Sequence, residues 1–439
     1  MGKSTREIVR SERFGEQYTV IHHFSGLDVL VWPMPGFSTT EALFATRYGS
    51  VNTCFRTAKT GDFIQVPEGI AHYLEHKLFE NEDTDVFDLY AATGASANAF
   101  TSFDETAYTF STAENWEQAL EILLDFVQKP YFTQENVDKE QGIIAQEIKM
   151  GEDSPFRKSY FDLLKALYVE HPVRIDIAGT VESIAQITPE LLYDCYHTFY
   201  NLHNMVLSIA GNVDIDKVEE ICDRLLIPAE DQDLETRFPQ EPEGVAQKRV
   251  VDKFPIGLPI FDIGFKSEPC SGLEYEYRTA AARVVLQLLI GSTSRLYQEM
   301  FDEGLINSQL GYSVFSGSGS YFSCIISGES RDPDEVFRRL CAEIERIKQE
   351  GFDEEEFSVI KKARYGSYIR SLNNVENCAD SMVDSYFNGT AVFDDAEALS
   401  KLTVEDCMKA LDTMFDPEKS AISIIESSLG EGMQGQEKN

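Results

Sequence analysis

Basic residues and long apolar runs are scarce in this sequence of 439 residues, and each scarcity excludes a class of protein. Lysine and arginine number 38 against 75 aspartates and glutamates, a formal charge of −37. Nucleic acid is therefore a poor partner, because phosphate binding needs the opposite sign. No apolar run approaches the ~20 residues that span a bilayer, so we expect no membrane segment. The polar opening, MGKSTREIVRSERFGEQY, lacks the apolar stretch of a secretion signal.

Cysteine pairs with metal-binding or redox spacing are also lacking. The eight cysteines are scattered and form no Cys-x-x-Cys pair. Without a secretion signal they are interpreted as buried thiols in a reducing compartment, and the expected location is the cytoplasm. The acidic surplus either serves solubility alone or creates a negative field that collects cationic ligands.

Histidine is rare as well, yet two histidines stand four residues apart. The chain has seven, none of them after His203, and the pair lies in the segment HYLEH. Residues four apart share one face of a helix, so His72 and His76 could reach a single ion about 2.0–2.1 Å from each ring nitrogen. Glu75 lies beside them, where it could accept a proton from an attacking water. The alternative, a solvated helix with two incidental histidines, is disfavoured by a glutamate inside the pair.

The residues around this segment favour a helix. Pro67 suits a first turn, and Glu68 suits the positive end of the helix dipole. Apolar residues recur at helical spacing at Ile70, Leu74 and Leu78. A catalytic zinc generally takes three protein ligands, and composition alone cannot identify the third.

Segments typical of strands and of helices are grouped rather than alternating, which indicates an α+β class. We expect two homologous domains, each a mostly antiparallel sheet with helices packed on one face. A helix in DTDVFDLYAATGA would be capped by Asp83 or Thr84 and would end at Gly94. The segment 228–247 is rich in proline and acidic residues, so it is interpreted as a linker between domains at 1–227 and 248–439.

An internal duplication supports the two-domain division. The segment 182–200 is echoed by 397–415, and a weaker echo recurs at a similar offset of about half the chain. The second copy cannot repeat the histidine motif, because no histidine follows His203. One half is therefore expected to carry the metal chemistry alone.

HYLEH is the inverted zinc motif His-x-x-Glu-His. With the duplication and the downstream segment EQGIIAQE, it resembles the pitrilysin-like peptidases, the family of insulin-degrading enzyme and mitochondrial processing peptidase. The resemblance implies that Glu147 is the third zinc ligand and that Glu140, seven residues earlier on the same helix, orients a ligand. The interval from His76 to Glu147 is slightly shorter than is usual in the family. His171 competes as a ligand, although its place before a proline fits a turn or packing role better.

The resemblance extends to substrate binding. The segment GASANAFTSFDETAYTF is similar to the family's strand pair, which implies that Asn98, Ala99 and Phe100 line the cleft where substrate adds as an extra strand. In the second half, LGYSVFSG resembles the segment that supplies a substrate-binding tyrosine, here Tyr312. The family usually has an arginine shortly before that tyrosine, but this chain has neither arginine nor lysine between Arg295 and Tyr312.

The resemblance implies a zinc endopeptidase with one Zn²⁺ per chain. Its expected substrates are short, unfolded, basic peptides, hydrolysed inside a closed cleft. The expected assembly is a homodimer, or a heterodimer with a sister subunit that lacks the zinc motif. Two alternatives stay open: a non-catalytic subunit of such an assembly, and a metal-binding module without hydrolytic activity.

Overall fold

The computed structural model describes residues 3–80, 85–317 and 319–429, and strands and helices occur throughout. The strands are β1 (Thr5–Ser11), β2 (Glu16–His22), β3 (Asp28–Pro33), β4 (Thr40–Thr46), β5 (Cys54–Arg56), β6 (Ile64–Gln65), β7 (Ser96–Thr101), β8 (Thr106–Thr112), β9 (Met205–Gly211), β10 (Glu235–Thr236), β11 (Arg249–Phe254), β12 (Ile260–Ser267), β13 (Gly311–Gly317), β14 (Tyr321–Glu329) and β15 (Ser420–Ser427).

The α-helices are α1 (Ile70–Leu78), α2 (Val86–Thr93), α3 (Trp116–Val127), α4 (Gln134–Glu152), α5 (Pro155–Leu167), α6 (Val181–Ile184), α7 (Pro189–Phe199), α8 (Ile215–Leu225), α9 (Gly272–Ile290), α10 (Arg295–Asp302), α11 (Pro333–Glu350), α12 (Glu354–Ser371), α13 (Val375–Asn388), α14 (Asp394–Lys401) and α15 (Val404–Met414). Short 3₁₀ helices cover Pro172–Arg174, Leu202–Asn204 and Pro417–Lys419.

The described residues form two large sheets, and the five strands of the second follow the same order as β3-β9-β4-β8-β7 of the first. The first has seven strands in the order β1-β2-β3-β9-β4-β8-β7, and the second has five in the order β11-β15-β12-β14-β13. In each sheet one strand pair is parallel, β3 with β9 and β11 with β15, and the other pairs are antiparallel. The matching order, with the parallel pair in the corresponding place, agrees with the internal duplication. The α+β class with two homologous, mostly antiparallel sheets is confirmed.

The duplicated segments have the same local structure. In the first copy α6, α7 and a 3₁₀ helix lead into the central strand β9, and in the second copy α14, α15 and a 3₁₀ helix lead into β15. Thr188 caps α7 and Thr403 caps α15, each by accepting a backbone N–H three residues further on. The two copies therefore share the threonine that caps the helix as well as the spacing of apolar residues.

The chain divides into two compact units, each built from three segments. Unit 1 comprises 1–148, 176–238 and 368–393, and unit 2 comprises 149–175, 239–367 and 394–439. The boundary between 238 and 239 falls inside the segment expected to be a linker, but the units differ from the contiguous domains at 1–227 and 248–439. Two helices cause the difference, because α5 belongs to unit 2 and α13 to unit 1.

Both exchanged helices lie on a sheet face that the other helices leave open. Helix α13 packs its apolar side on β9 and β4 in a cluster with Trp32 and Leu43, and Ser208 Oγ of β9 donates to the carbonyl of Ala379 at 2.8 Å. Helix α5 lies so close to β12 that a Cβ at Gly264 would be 2.5 Å from Leu167 Cδ1. Within the described residues, helices therefore cover one face of each sheet, as expected, and α13 or α5 covers part of the other face.

Helix α2 differs from its predicted start. Asp85 is its N-cap, with the side chain accepting from the N–H of Phe87, and Gly94 ends it in the left-handed conformation, as the sequence predicts. Asp83 and Thr84, the caps considered from the sequence, lie outside the described residues. Within 3–80, 85–317 and 319–429, none of the helices combines the length and apolar character that crossing a bilayer requires.

Candidate metal centre

The helix that carries the histidine pair begins later than the sequence suggests. Gly69 precedes it with φ 88°, and a Cβ there would lie 2.4 Å from the carbonyl oxygen of Ala178. Ser183 Oγ donates to the carbonyl of Glu68 at 2.9 Å. Pro67 and Glu68 therefore lie before α1 rather than in its first turn, and the segment that contains Ala178 and Ser183 fixes the start of the helix.

Helices α1 and α4 bring three ligand-type side chains together. In the part of the chain that the structure describes, one group of three His, Cys, Asp or Glu side chains could hold an ion, namely His72, His76 and Glu147, with donor atoms within 4.8 Å of one another. His72 Nε2 lies 3.6 Å from Glu147 Oε1, and His76 Nε2 lies 3.6 Å from Glu147 Oε2. The side chain of His72 is 11% exposed and that of Glu147 is 47% exposed, so the group opens to solvent on the glutamate side.

This donor set fits zinc. Two donors about 2.0–2.1 Å from a tetrahedral ion lie about 3.3 Å apart, close to both measured separations. Two imidazoles and one carboxylate also form a ligand set of catalytic zinc sites, in which a fourth position stays open for water.

Glu140 contacts His76 from behind. Its Oε1 lies 2.9 Å from His76 Nδ1, and the glutamate side chain is only 7% exposed. Burial lowers the pKa of His76, but the hydrogen bond to Glu140 and the charges of Glu75, Glu140 and Glu147 outweigh burial, so the net shift is upward. A carboxylate at Nδ1 fixes the ring so that Nε2 faces Glu147.

The Glu75 carboxylate contacts strand β7. Thr101 Oγ1 donates to its Oε2 at 2.6 Å. Burial raises the pKa of Glu75, Glu147 raises it further, and the Thr101 hydrogen bond and His76 lower it, with a net upward shift. The sequence reasoning did not single out Thr101. The signal was present, because Thr101 continues the two-residue alternation of Ala97 and Ala99 on the face of β7 that packs toward the main core.

The structure separates the residues expected to line the cleft. Strand β7 is the last strand of the seven-stranded sheet, and its residues alternate between exposed and half-buried. Ala99 lies on the same face as Thr101, and Asn98 and Phe100 lie on the opposite face, where Phe100 is 38% exposed. A peptide added to this edge would run past all three residues, but only the Ala99 face is shared with Glu75.

Tyr312 lies in unit 2, on the edge strand β13. Burial raises the pKa of Tyr312, and the positive charge of Arg364 partly opposes this increase. Arg364 belongs to α12 and donates to Gln287 Oε1 at 3.4 Å. The arginine whose charge acts on Tyr312 therefore lies on a helix some fifty residues later and not in the segment just before Tyr312.

His171 is outside the ligand group. It caps a 3₁₀ helix, with Nδ1 accepting from the N–H of Val173 at 3.1 Å. Burial lowers its pKa to about 4. The turn role expected from its place before Pro172 agrees with this contact.

Known sequences resemble this chain in both halves. Residues 59–181 match the profile of insulinase (peptidase family M16), and residues 186–364 match that of the peptidase M16 inactive domain. A protein of Bacillus subtilis (strain 168), described as the uncharacterized zinc protease YmfH, is 39% identical over 404 residues, which cover 90% of this chain and 94% of the relative. The chain belongs to the M16 peptidase family. An uncharacterized zinc protease of Rickettsia felis is 28% identical over 77% of this chain and 80% of the relative.

Solved structures of M16 proteins share the fold. An M16-like peptidase from Alicyclobacillus acidocaldarius is 36% identical, with a TM-score of 0.89 over 97% of this chain and 99% of that chain. Pitrilysin is 18% identical, with a TM-score of 0.76 over 98% of this chain but only 47% of pitrilysin. At that identity the second likeness shows the fold alone. The inactive-domain profile covers much of the half that lacks the histidine pair, in line with the expected inequality of the two copies.

Proposed function

We propose that this M16 chain is a zinc endopeptidase that holds one Zn²⁺ through His72, His76 and Glu147. The observation that carries the proposal is the convergence of these three donors beside a half-buried carboxylate, Glu75, that is not among them. The zinc-protease names of its relatives support the choice of metal. Bound zinc would supply a Lewis acid that polarises the scissile carbonyl and lowers the pKa of a water.

The chain's own residues would move the proton. Glu75 accepts a proton from the attacking water as the oxygen bonds to the carbonyl carbon, and it delivers that proton to the amine nitrogen as the C–N bond breaks. Thr101 holds the Glu75 carboxylate by a hydrogen bond. Glu140 orients His76 through Nδ1 without being a ligand itself.

The proposed substrate is a short, extended, unfolded peptide with basic residues, cleaved inside a closed cleft. Strand β7 ends the first sheet, so a peptide could add to it through backbone hydrogen bonds near Asn98, Ala99 and Phe100. Tyr312, with Arg364 nearby, is proposed as a further substrate contact on unit 2. The charge of −37 favours cationic peptides, since a negative field raises their local concentration.

The proposed assembly is a dimer, with itself or with a sister chain that lacks the histidine motif. The support is length, because this chain spans 47% of pitrilysin at full coverage of its own fold. The cytoplasm remains the proposed location. All eight cysteines lie in the described part of the chain as free thiols, which suits a reducing compartment.

Substitutions distinguish the proposed base, Glu75, from the proposed zinc ligands by their effects on cleavage and on zinc content. Glu75→Gln should keep one zinc per chain and lose cleavage of an internally quenched peptide by at least ~100-fold, because an amide cannot accept the proton. His76→Ala and Glu147→Gln should instead lower the zinc content measured by mass spectrometry. Glu135→Gln is the matched control, since Glu135 is an exposed glutamate on α4 outside the ligand group. Near wild-type turnover in Glu75→Gln would refute the mechanism, and full zinc without any cleavage in the wild type would favour a non-catalytic subunit or a metal-binding module.

A further inference from the structure

Lys77, the residue directly after the second histidine, has no exposed side-chain surface. Lysine is almost never fully buried unless it is paired, because removing an ammonium group from water is costly. A methionine of similar length would fill the same space without that cost. The buried charge therefore needs a reason beyond packing.

The ammonium group of Lys77 joins the end of α1 to the first turn of α4. Its Nζ donates to Glu80 Oε2 at 2.5 Å and to the carbonyl oxygen of Asn136 at 3.3 Å. Glu80 in turn accepts from Lys139 Nζ of α4 at 3.2 Å through its other oxygen. Lys77 therefore contacts the backbone of α4 directly, whereas the side chain of Lys139 contacts only the Glu80 side chain, beyond the end of α1.

Tyr73 makes a second connection on the same face of α1, four residues before Lys77. Its hydroxyl donates to the carbonyl oxygen of Val137 at 2.5 Å, and the ring is fully buried. Tyr73 and Lys77 therefore donate to two consecutive backbone carbonyls of α4. Two donors on neighbouring carbonyls restrict both the sliding and the rotation of α4 against α1.

Because α4 is one continuous helix, the contacts of Tyr73 and Lys77 with its first turns also fix the position of its ligand-bearing part. Glu140 lies about one turn beyond Val137, and Glu147 lies ten residues beyond it, a distance of about 15 Å along the helix. The 2.9 Å contact of Glu140 with His76 and the 3.6 Å separations of Glu147 from both histidines depend on the position of the helix.

We propose that Tyr73 and Lys77 are positioning residues that set the zinc affinity by holding α4 in register with α1. This inference rests on the proposed zinc site but not on peptide cleavage.

The test compares Lys77→Met, Tyr73→Phe and the control Lys139→Met. Lys139→Met removes the same charge from the Glu80 network, but Lys139 is largely exposed and does not bridge the backbones of the two helices. Zinc affinity is measured by chelator competition on each purified full chain, and the unfolding temperature of the metal-free form is recorded beside it. We expect Lys77→Met and Tyr73→Phe to weaken zinc binding about 10–100-fold, as loss of a contact behind a ligand typically does, and Lys139→Met to stay within about twofold of wild type.

Each outcome decides the matter. A lower unfolding temperature with unchanged zinc affinity in both variants would show a purely structural role and overturn the proposal. An equal loss of affinity in Lys139→Met would assign the effect to charge rather than to helix register, and would overturn it as well. If Lys77→Met fails to fold, Tyr73→Phe, which removes a single hydroxyl, decides alone. A wild-type chain that binds no zinc would refute the metal site itself, an outcome that is distinct from the others.

Discussion

Replacing Glu41 by glutamine should stabilise the protein near neutral pH but not in acid. Glu41 lies half-buried on β4, opposite Ser111 of β8. Burial raises its pKa to about 7, the charges of Glu376 and Asp380 on α13 contribute to the increase, and a hydrogen bond with Ser111 opposes it. Burial also raises the pKa of Asp380 to about 6. The protein therefore folds more readily when Glu41 on β4 and Asp380 on α13 are protonated.

The sign and the size of this stability difference follow from the linkage between protonation and folding. A carboxyl group whose folded pKa lies above its unfolded value of about 4.5 contributes stability that is fully present below pH 4.5 and is lost as the pH rises through about 7. The difference between a folded pKa of about 7 and an unfolded pKa of about 4.5 corresponds to about 3.4 kcal/mol at most, and partial solvent screening reduces this to about 1–2 kcal/mol. Glutamine carries no charge at any pH. The free energy of unfolding of Glu41→Gln should therefore exceed that of the wild type by about 1–2 kcal/mol at pH 8 and match it near pH 4.5.

Urea unfolding of the metal-free protein at pH 4.5 and pH 8 measures this difference without a contribution from zinc. Glu12→Gln is the control, because Glu12 is an exposed glutamate with a side chain that is 84% accessible. An equal advantage of Glu41→Gln at both pH values, or a loss of stability at pH 8, would refute the proposed repulsion beneath α13.

Three further predictions concern activity and assembly. Thr101→Val should lower kcat about tenfold with little change in zinc content, because Glu75 loses the hydrogen bond that orients it. Steady-state kinetics and metal analysis measure both quantities, and an unchanged kcat would contradict this role of Thr101. Lys-rich peptides should be cleaved with a higher kcat/KM than matched Glu-rich peptides at low salt, and the difference should shrink at high salt; equal rates at both would remove charge from substrate selection. Light scattering should give a dimer, and a fully active monomer would contradict the proposed assembly.

The sequence was most informative where chemistry depends on local helical spacing. The four-residue interval of His72 and His76 and the seven-residue interval of Glu140 and Glu147 place each pair on one helix face, and the structure brings both faces together. The family is confirmed, and the fold class is confirmed by the repeated sheet topology. The ligand roles of these residues stay predictions.

Contacts between distant parts of the chain could not be predicted from the sequence. The apolar faces of α5 and α13 show that each helix is buried, but they do not show on which sheet, so a division based on the linker and the repeat could not assign them. Thr101 and Arg364 approach Glu75 and Tyr312 only after strands and helices from separate segments have packed. The start of α1 at Ile70 likewise depends on the backbone near Ala178, about one hundred residues later.

Returning zinc to the metal-free protein while following cleavage of an internal peptide bond tests the central claim most directly. Chelator-treated chain is titrated with zinc, and the cleavage rate of an internally quenched, lysine-containing peptide is plotted against zinc added per chain. The proposed site predicts no cleavage without zinc, and a rate that rises and levels off at one zinc per chain in the wild type but stays near zero in Glu75→Gln. Cleavage that persists without metal, or a zinc-loaded wild type that cleaves no peptide, would contradict the assignment of a zinc endopeptidase.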